Sequence, residues 1–186
     1  MESPQPHGPW RIVARKQVYR DPWIELTRDE VIRPDGAPGT HCILRLKAGV
    51  TVLPLDDQGR VYLTEEFHYG VGRTTVEAVS GGIEPQEDAE RTARRELQEE
   101  LGITAQEWID LGVCDPLTSV VVSPTRLFLA RRLEFGPTAL EGTELIRCRP
   151  MPMEEAAQMV LDSRITHGPS CVLILKAQHW LKIKAD

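Results

Sequence analysis

Apolar and polar residues alternate in several runs of the chain, with the period of two that is typical of half-buried β-strands. Before residue 48 the alternation predicts three short strands, in RIVARKQVY, WIELTRDEVIR and HCILRLK. A turn at Pro34-Asp35-Gly36 separates the second strand from the third. Three such strands form a small antiparallel sheet that is only marginally stable alone. We therefore expect it to pack on its own domain or on a second subunit.

From residue 50 onward, the runs VTVLPLD and RVYLTEEFHY predict a hairpin of central strands around the turn DDQG. Further strands are predicted at Thr75–Val79, WIDLGVCD, RLFLARRLEF and Thr143–Cys148, with a loop at Pro116–Pro124. Helical periodicity marks MEEAAQMVLDS and Ser170–Lys182, where the core candidates are Val172, Leu173, Leu175 and Trp180. These elements predict an α/β (α+β) fold in which helices flank a mixed β-sheet.

The stretch GGIEPQEDAERTARRELQEELGI, residues 81–103, predicts a loop, a helix of about four turns and a second loop. Pro85 suits the first helical turn, and Glu87 and Asp88 suit the positive N-terminal end. Gly102 follows the last turn as a stop signal. The residues that recur every four positions and form the packing stripe are Ala89, Ala93, Leu97 and Leu101.

Glu96 and Glu100 fall on the same side of this helix as the packing stripe, with Glu99 beside them. A solvated helix places its carboxylates opposite its apolar stripe, and like charges four residues apart repel each other. Acids clustered at a packed edge need a cation, and Mg²⁺ takes oxygen ligands that it shares with substrate phosphates. The pattern favours phosphoryl chemistry. The alternative, a charge-rich surface helix, explains the composition but not the joint spacing of glycines and acids.

The same stretch resembles the signature of the Nudix hydrolases: Gly, five residues, Glu, seven residues, Arg-Glu, an aliphatic residue, any residue, Glu-Glu, any residue, Gly, aliphatic. The residues that match its fixed positions are Gly81, Glu87, Arg95, Glu96, Leu97, Glu99, Glu100, Gly102 and Ile103. The resemblance implies a Nudix-type α/β/α sandwich with a mixed β-sheet over residues 49–186. Residues 1–48 would be a tail and a small antiparallel β-sheet that forms a homodimer.

The resemblance also implies how the matched residues act. A metal bound by the glutamates would neutralise a diphosphate and lower the pKa of the attacking water. The metal would be Mg²⁺, with Mn²⁺ as a possible substitute, and a further carboxylate would take the proton of that water. The candidates for this base are Glu144, which we favour, and Glu141. The metal ligands would be the side chains of Glu96, Glu99 and the catalytic Glu100, with the main-chain oxygen of Ser80, whose side chain need not matter.

Three other matched residues and the adjacent Gly82 would take supporting roles in the family pattern. Arg95 would orient the acids through salt bridges, its alternative being a solvated charge on the outer side of the helix. Glu87 would brace the loop. Gly81 and Gly82 would let main chain or phosphate approach, because no Cβ stands in the way.

Outside the signature, the chain resembles the ADP-ribose and nucleoside-diphosphate-sugar pyrophosphatases. It departs from them at Glu66-Phe67-His68, where Gln-Tyr-Arg is common, and at Val79-Ser80-Gly81, where Pro-Ala-Gly is common. Trp23 is a candidate to stack on a nucleobase, or else it anchors the small sheet. His68 is a candidate phosphate donor, or else a packed and hydrogen-bonded side chain. Arg73 is slightly favoured as a phosphate clamp over three others, namely Arg28, Arg45 and Arg126.

Composition narrows the class of protein. With 186 residues, 41% of them apolar and 27% charged, the chain fits one globular domain with a small appended sheet. Its net charge is −6 and it has no basic run, so the sequence gives no sign of a nucleic-acid-binding surface. No apolar run is long enough for a membrane span, and the N-terminal stretch is no signal peptide. The four scattered cysteines lack metal-ligand spacing and predict reduced thiols in a cytoplasm.

Three functions follow from these observations. The first is a Mg²⁺-dependent pyrophosphatase that splits ADP-ribose or a related nucleoside-diphosphate sugar into a nucleoside monophosphate and a sugar phosphate. The second is the hydrolysis of another nucleoside diphosphate derivative, such as a dinucleoside polyphosphate or a free nucleotide. The third is a module that binds a nucleotide without cleaving it, against which the complete glutamate set argues.

Overall fold

The computed structural model describes residues 3–140, 142 and 145–185, which divide into two units. One unit comprises the chain up to Ala48 together with Asp115–Ser123. The other comprises Gly49–Cys114 and the chain from Pro124 onward. The predicted loop at Pro116–Pro124 therefore contributes to the first unit, where it also supplies a short strand. Within the described part of the chain, no helix is both long and apolar enough to span a bilayer.

The first unit is a five-stranded sheet in the order β1-β2-β3-β4-β10. Its strands are β1 Gln5–His7, β2 Trp10–Arg20, β3 Ile24–Ile32, β4 Pro38–Leu46 and β10 Val121–Val122. β1 to β4 are antiparallel, whereas β10 pairs with β4 in parallel. β1 pairs only with residues 10–12 of β2. The rest of that edge of β2 has no neighbouring strand among the described residues.

The second unit contains a seven-stranded mixed sheet in the order β12-β6-β5-β11-β9, with β7 paired to β6 and β8 paired to β5. Its strands are β5 Gly49–Leu55, β6 Arg60–His68, β7 Arg73–Glu77, β8 Val79–Gly82, β9 Ile103–Cys114, β11 Thr125–Phe135 and β12 Arg147–Pro152. Its helices are α1 Ala89–Leu101, α2 Met153–Leu161 and α3 Gly168–Ala185. β5 and β11 run parallel, and the other pairs run antiparallel.

Helices cover both faces of this sheet. Along β11, Leu127 and Leu129 join the core formed with α2 and α3, whereas Phe128 and Ala130 join the core formed with α1. Successive side chains of a strand point to opposite faces of the sheet. All four side chains are buried because helices cover both of these faces. The predicted α/β/α sandwich with a mixed sheet is therefore confirmed.

Two predicted strands differ from the structure. The predicted strand Thr75–Val79 is two strands, because the chain leaves β6 after Glu77 and pairs with β5 from Val79 onward. The predicted strand Thr143–Cys148 begins only at Arg147 as β12, and Thr143 lies outside the described residues.

The core positions of α3 were also predicted only in part. Leu173 is fully buried as expected, and Trp180 packs against the core from a partly buried position. Val172 and Leu175 are exposed instead, so their assignment to the core was wrong. Ile174 occupies the core in their place, because α3 turns a different side toward the sheet than the one proposed.

Gly102 ends α1 in the left-handed conformation, with φ 64°. A Cβ there would lie 2.3 Å from the carbonyl oxygen of Gly136. We expect Gly102→Ala to lower the free energy of unfolding by about 3 kcal/mol, because a clash with main chain adds to the backbone strain of about 1–2 kcal/mol. Urea denaturation followed by tryptophan fluorescence measures the loss.

Gly59 provides the matched control for this prediction. Its φ is also positive, at 77°, but a Cβ there would meet nothing within 4 Å. Gly59→Ala should therefore cost only the backbone strain, about 1 kcal/mol. Equal losses in the two variants would contradict the clash at Gly102.

Candidate functional site

Helix α1 carries the acidic signature, and local signals set both of its ends. The side chain of Asp88 accepts a hydrogen bond of 2.8 Å from the Arg91 N–H and caps the N-terminus. α1 begins at Ala89, so Pro85 lies in the preceding turn and not in the first helical turn as predicted. The side chains that α1 buries against the sheet are Thr92, Ala93, Leu97 and Leu101, and Ala89 packs there in part.

Arg95 is the centre of the charged cluster on α1. Its Nη1 lies 2.9 Å from a carboxylate oxygen of Glu96 and 2.8 Å from one of Glu99. Its Nε and Nη2 donate to the Glu87 carboxylate at 3.2 and 3.1 Å. These hydrogen bonds from Arg95 lower the pKa of Glu87, and those same bonds to Glu87 raise the pKa of Arg95 further above its ordinary value. Arg95 thus makes the contacts expected of a residue that orients the acids.

Glu87 also braces the loop before α1. Besides Arg95, its carboxylate accepts a hydrogen bond of 2.9 Å from the hydroxyl of Thr92, which is fully buried. The Nη2 of Arg95 lies 3.5 Å from the carbonyl oxygen of Gly82, at the end of β8. These contacts connect the glycine-rich segment to the first turns of the helix.

Gly81 has no side chain, and the Glu96 carboxyl group occupies the space where a Cβ would lie. An ideal Cβ on Gly81 would lie 2.0 Å from the carboxyl carbon of Glu96, so any larger residue would displace that group. The Glu96 side chain is only 14% exposed, which shows how closely it lies against β8. A carboxylate is thereby held beside the main chain of Ser80 and Gly81.

The described residues contain no group of three histidine, cysteine, aspartate or glutamate side chains already arranged as a metal site. The positive charge beside Glu96 and Glu99 is instead the guanidinium of Arg95. The donor chemistry still fits a divalent cation, because Glu96, Glu99 and Glu100 are half-buried carboxylates from adjacent turns of one helix. One of them, Glu96, lies in the space that a Cβ on Gly81 would fill and so stays close to Gly81 of β8.

The side chain of Ser80 has a structural part that sequence reasoning did not foresee. Its hydroxyl donates to the carbonyl oxygen of Ala78 at 3.0 Å and lies 3.1 Å from the hydroxyl of Thr51. Thr51 is fully buried on β5, the strand with which β8 pairs. The Ser80 hydroxyl therefore fastens the glycine-rich segment to the central strand.

His68 and Arg73, two predicted substrate contacts, have protein partners in the structure. The Nε2 of His68 lies 3.3 Å from a carboxylate oxygen of Glu77, and the His68 side chain is 41% exposed, so it has a carboxylate partner but is not packed in the core. Arg73 donates to the hydroxyl of Thr166 at 2.9 Å. The competing candidate Arg126 is bound by the carboxylate of Asp110.

Trp23 lies in the first unit, immediately before β3. Its side chain is 69% exposed, so it does not pack into the small sheet as the anchoring alternative requires. Its N–H donates to the side chain of Asp21 at 2.8 Å, which fixes the turn on which it stands. An exposed indole on an ordered turn is free to stack on a ligand or a partner.

The two candidate bases, Glu141 and Glu144, lie outside the described residues. The chain that leads to them is described, and it is tied to the C-terminal turn of α1. Gly136 donates its N–H to the carbonyl oxygen of Gly102 at 2.7 Å, and Ala139 donates to that of Glu99 at 2.9 Å. The loop with both candidates therefore starts beside the acidic end of the helix.

Sequence reasoning missed a second polar cluster, which consists of Glu77, His167 and Ser170. The Nδ1 of His167 lies 3.1 Å from a carboxylate oxygen of Glu77 and 2.8 Å from the hydroxyl of Ser170. Burial lowers the pKa of His167, so its neutral form is favoured. Because Glu77 lies far from His167 and Ser170 along the chain and the three match no motif, no spacing signal joins them.

Comparisons with known proteins agree with this architecture. The family model described as NUDIX domain matches residues 45–169, more than half of the chain. A second model, described as nucleoside diphosphate sugar hydrolase N-terminal domain, matches residues 10–43.

Two similar proteins are both named ADP-ribose pyrophosphatase. The protein from Bacillus subtilis (strain 168) is 27% identical over 157 residues, which cover 81% of this chain and 82% of that protein. The protein from Mycobacterium tuberculosis (strain ATCC 25618 / H37Rv) is 30% identical over 159 residues, which cover 84% and 77%. A crystal structure of an ADP compounds hydrolase has the same fold, with a TM-score of 0.81 at 20% identity over 99% of this chain and 98% of that one.

Proposed function

This chain belongs to the Nudix hydrolases, enzymes that act on pyrophosphate bonds, and from that membership we propose that it is a Mg²⁺-dependent pyrophosphatase of ADP-ribose or a related nucleoside-diphosphate sugar. Its products would be a nucleoside monophosphate and a sugar phosphate. The observation that carries the proposal is the grouping of Glu87, Glu96 and Glu99 around Arg95, with Glu96 also beside Gly81. The similarity to two ADP-ribose pyrophosphatases supports the substrate class.

The signature residues divide the work of binding and charge neutralisation. The side chains of Glu96, Glu99 and Glu100, with the main-chain oxygen of Ser80, would hold Mg²⁺ or Mn²⁺. The bound metal would neutralise the diphosphate and lower the pKa of the attacking water. Arg95 keeps the carboxylates in place for this role. Gly81 leaves the room that the Glu96 carboxyl group occupies, and Gly82 would let a substrate phosphate approach the main chain.

Glu144, or else Glu141, would be the general base. The tie between Ala139 and the last turn of α1 supports this role, because it starts their loop close to Glu99 and Glu100. A general base must come within hydrogen-bond distance of the proton that it abstracts. Glu141 and Glu144 follow Ala139 by two and five positions, so a chain that extends about 3.3–3.6 Å per residue allows either to approach the acidic end of α1.

The substrate-binding roles rest on position and exposure. Trp23, which is exposed on the first unit, would stack on the nucleobase in the site of a partner subunit. In nucleic-acid complexes, such stacking on an aromatic side chain contributes about 1–3 kcal/mol of binding free energy per base. His68 and Arg73 would donate to phosphate or ribose oxygens after exchanging their present protein partners. We propose residues 1–48 as the dimer-forming module, residues 49–186 as the catalytic domain, and the cytoplasm as the location.

The test is a substrate panel with purified protein and Mg²⁺ or Mn²⁺. The panel contains ADP-ribose, other nucleoside-diphosphate sugars, dinucleoside polyphosphates and free nucleotides, and chromatography identifies the products. We expect AMP and ribose 5-phosphate from ADP-ribose, with activity lost in EDTA and restored by added Mg²⁺. Turnover of dinucleoside polyphosphates or nucleotides alone would favour the second function. Binding without turnover of any compound would favour a nucleotide-binding module.

The same purified protein allows a prediction about assembly. Among the residues that the structure describes, no strand pairs with the outer edge of β2 beyond Ile12, and the β2 side chains Val13, Val18 and Tyr19 are about half exposed. Unpaired edges and exposed apolar residues favour association with another chain. We expect light scattering at micromolar concentration to give the mass of a dimer, and Val18→Lys to shift that mass toward the monomer. A monomeric mass for the unmodified chain would contradict the prediction.

A further inference from the structure

The chain changes its partner strand at Ala78. β7 pairs with β6 up to Glu77, and β8 pairs with β5 from Val79 onward. Ala78, between them, is buried, and a buried main-chain group without a hydrogen bond destabilises the folded chain. Two serine hydroxyls meet this need. The N–H of Ala78 donates to Ser170 at 2.9 Å, and its carbonyl oxygen accepts from Ser80 at 3.0 Å.

Ser170 stands in the first turn of α3 and is fully buried. Its hydroxyl lies 2.8 Å from the Nδ1 of His167, which in turn lies 3.1 Å from the Glu77 carboxylate. An ionised carboxylate only accepts hydrogen bonds, so the approach of Nδ1 to Glu77 requires the ring proton on Nδ1. The Nδ1 thus contacts β7 through Glu77 and α3 through Ser170.

The other groups that face Glu77 reinforce this arrangement. The hydroxyl of Thr75 donates to its second carboxylate oxygen at 2.6 Å, and the Nε2 of His68 lies 3.3 Å from the same oxygen. The same Nε2 of His68 lies 4.0 Å from a carboxylate oxygen of Glu66. Glu77 is therefore surrounded by donors from β6, β7 and the residue before α3. Its side chain is 14% exposed.

We propose that Ser170 and His167 are positioning residues for the pyrophosphatase site, because they fix the strand change at Ala78 that places Ser80 and Gly81 beside Glu96. This inference rests on the proposed function, since the segment that they hold carries the main-chain oxygen assigned to the metal. Neither residue touches the signature helix in the described contacts. They act through the main chain of β8.

The test measures the position of β8 separately from activity. Hydrogen exchange followed by mass spectrometry reports protection of the Ala78 amide and of the segment 79–82. We expect Ser170→Ala and His167→Ala each to raise exchange in this segment at least about tenfold. In both variants we expect kcat to fall about ten- to a hundredfold with KM within about twofold, because small displacements of reacting groups have effects of this size.

Two further variants keep the test independent of folding defects. His167→Asn places an amide N–H close to the position of Nδ1 and should recover most of the protection and kcat that His167→Ala loses. His179→Ala removes an exposed histidine from the same helix and should leave exchange and kcat unchanged.

Each outcome decides the inference. Unchanged exchange in Ser170→Ala and His167→Ala would overturn it, and so would raised exchange with unchanged kcat. Failure of His167→Asn to recover what His167→Ala loses would overturn the part assigned to the Nδ1 proton. If the unmodified protein hydrolyses no compound of the panel, the proposed function fails. The exchange data then still show whether Ser170 and His167 fix β8.

Discussion

We expect Glu96→Gln to lower kcat/KM by about a thousandfold, which corresponds to about 4 kcal/mol of transition-state stabilisation. Glutamine keeps the volume of the side chain and its place beside Gly81, but it removes the negative charge and one metal-binding oxygen. A metal ion that neutralises a diphosphate contributes several kcal/mol, so the loss of a charged ligand should remove much of that contribution. Steady-state assays of the best panel substrate at saturating Mg²⁺ measure the effect.

Glu90→Gln is the matched control on the same helix. Glu90 is exposed and forms its ion pair with Arg94 at 2.7 Å, away from the Arg95 cluster. An exposed ion pair contributes about 0–1 kcal/mol, so both stability and turnover should stay close to those of the unmodified protein. Glu100→Gln should resemble Glu96→Gln and not this control. Activity retained in Glu96→Gln or Glu100→Gln would refute the assigned metal-binding roles.

Gly81→Ala should lower kcat/KM by about a hundredfold without any change to the acids themselves. The added methyl group would occupy the place of the Glu96 carboxyl group, whose carbon lies 2.0 Å from the ideal Cβ position. The flexible end of the glutamate would move away, so the fold should survive while the carboxylate leaves its productive position. Kinetics and the midpoint of thermal unfolding, measured on one preparation, separate the two effects.

Gly70→Ala is the corresponding control for a glycine in the same unit. A Cβ on Gly70 would meet nothing within 4 Å, and its φ is not in the left-handed range. Its kinetics should match those of the unmodified protein. If Gly81→Ala were equally active, the close packing of Glu96 on β8 would have no part in catalysis.

The signature helix could be predicted from sequence because its signals are local. Asp88 caps α1 through its side chain, which accepts from the Arg91 N–H, and Gly102 ends α1 through its own main-chain N–H. The burial of Leu97 and Leu101 follows from their spacing in the same way. The apolar runs of β5 and β11 also identified these strands, because strands that are buried on both faces carry apolar residues at successive positions.

Contacts between distant segments could not be predicted in this way. The strand change at Ala78 depends on which of two neighbouring strands, β6 or β5, offers hydrogen bonds. The sequence TVEAVS, residues 75–80, contains no local signal that predicts this change. The contact of Glu77 with His167 brings together two elements with no shared motif. The exposed side of α3 was misjudged for a related reason. Val172 and Leu175 are as apolar as Leu173, so only tertiary packing distinguishes them.

The ties of Gly136 and Ala139 to the end of α1 suggest where this enzyme can be recombined with its relatives. They anchor one end of the stretch between Ala139 and Arg147, and β12 anchors the other end through its pairing with β6. A chimera spliced at these two points would exchange only the intervening residues and leave the catalytic helix in its native setting. Exchange of this segment between family members could then transfer substrate preference from one enzyme to another.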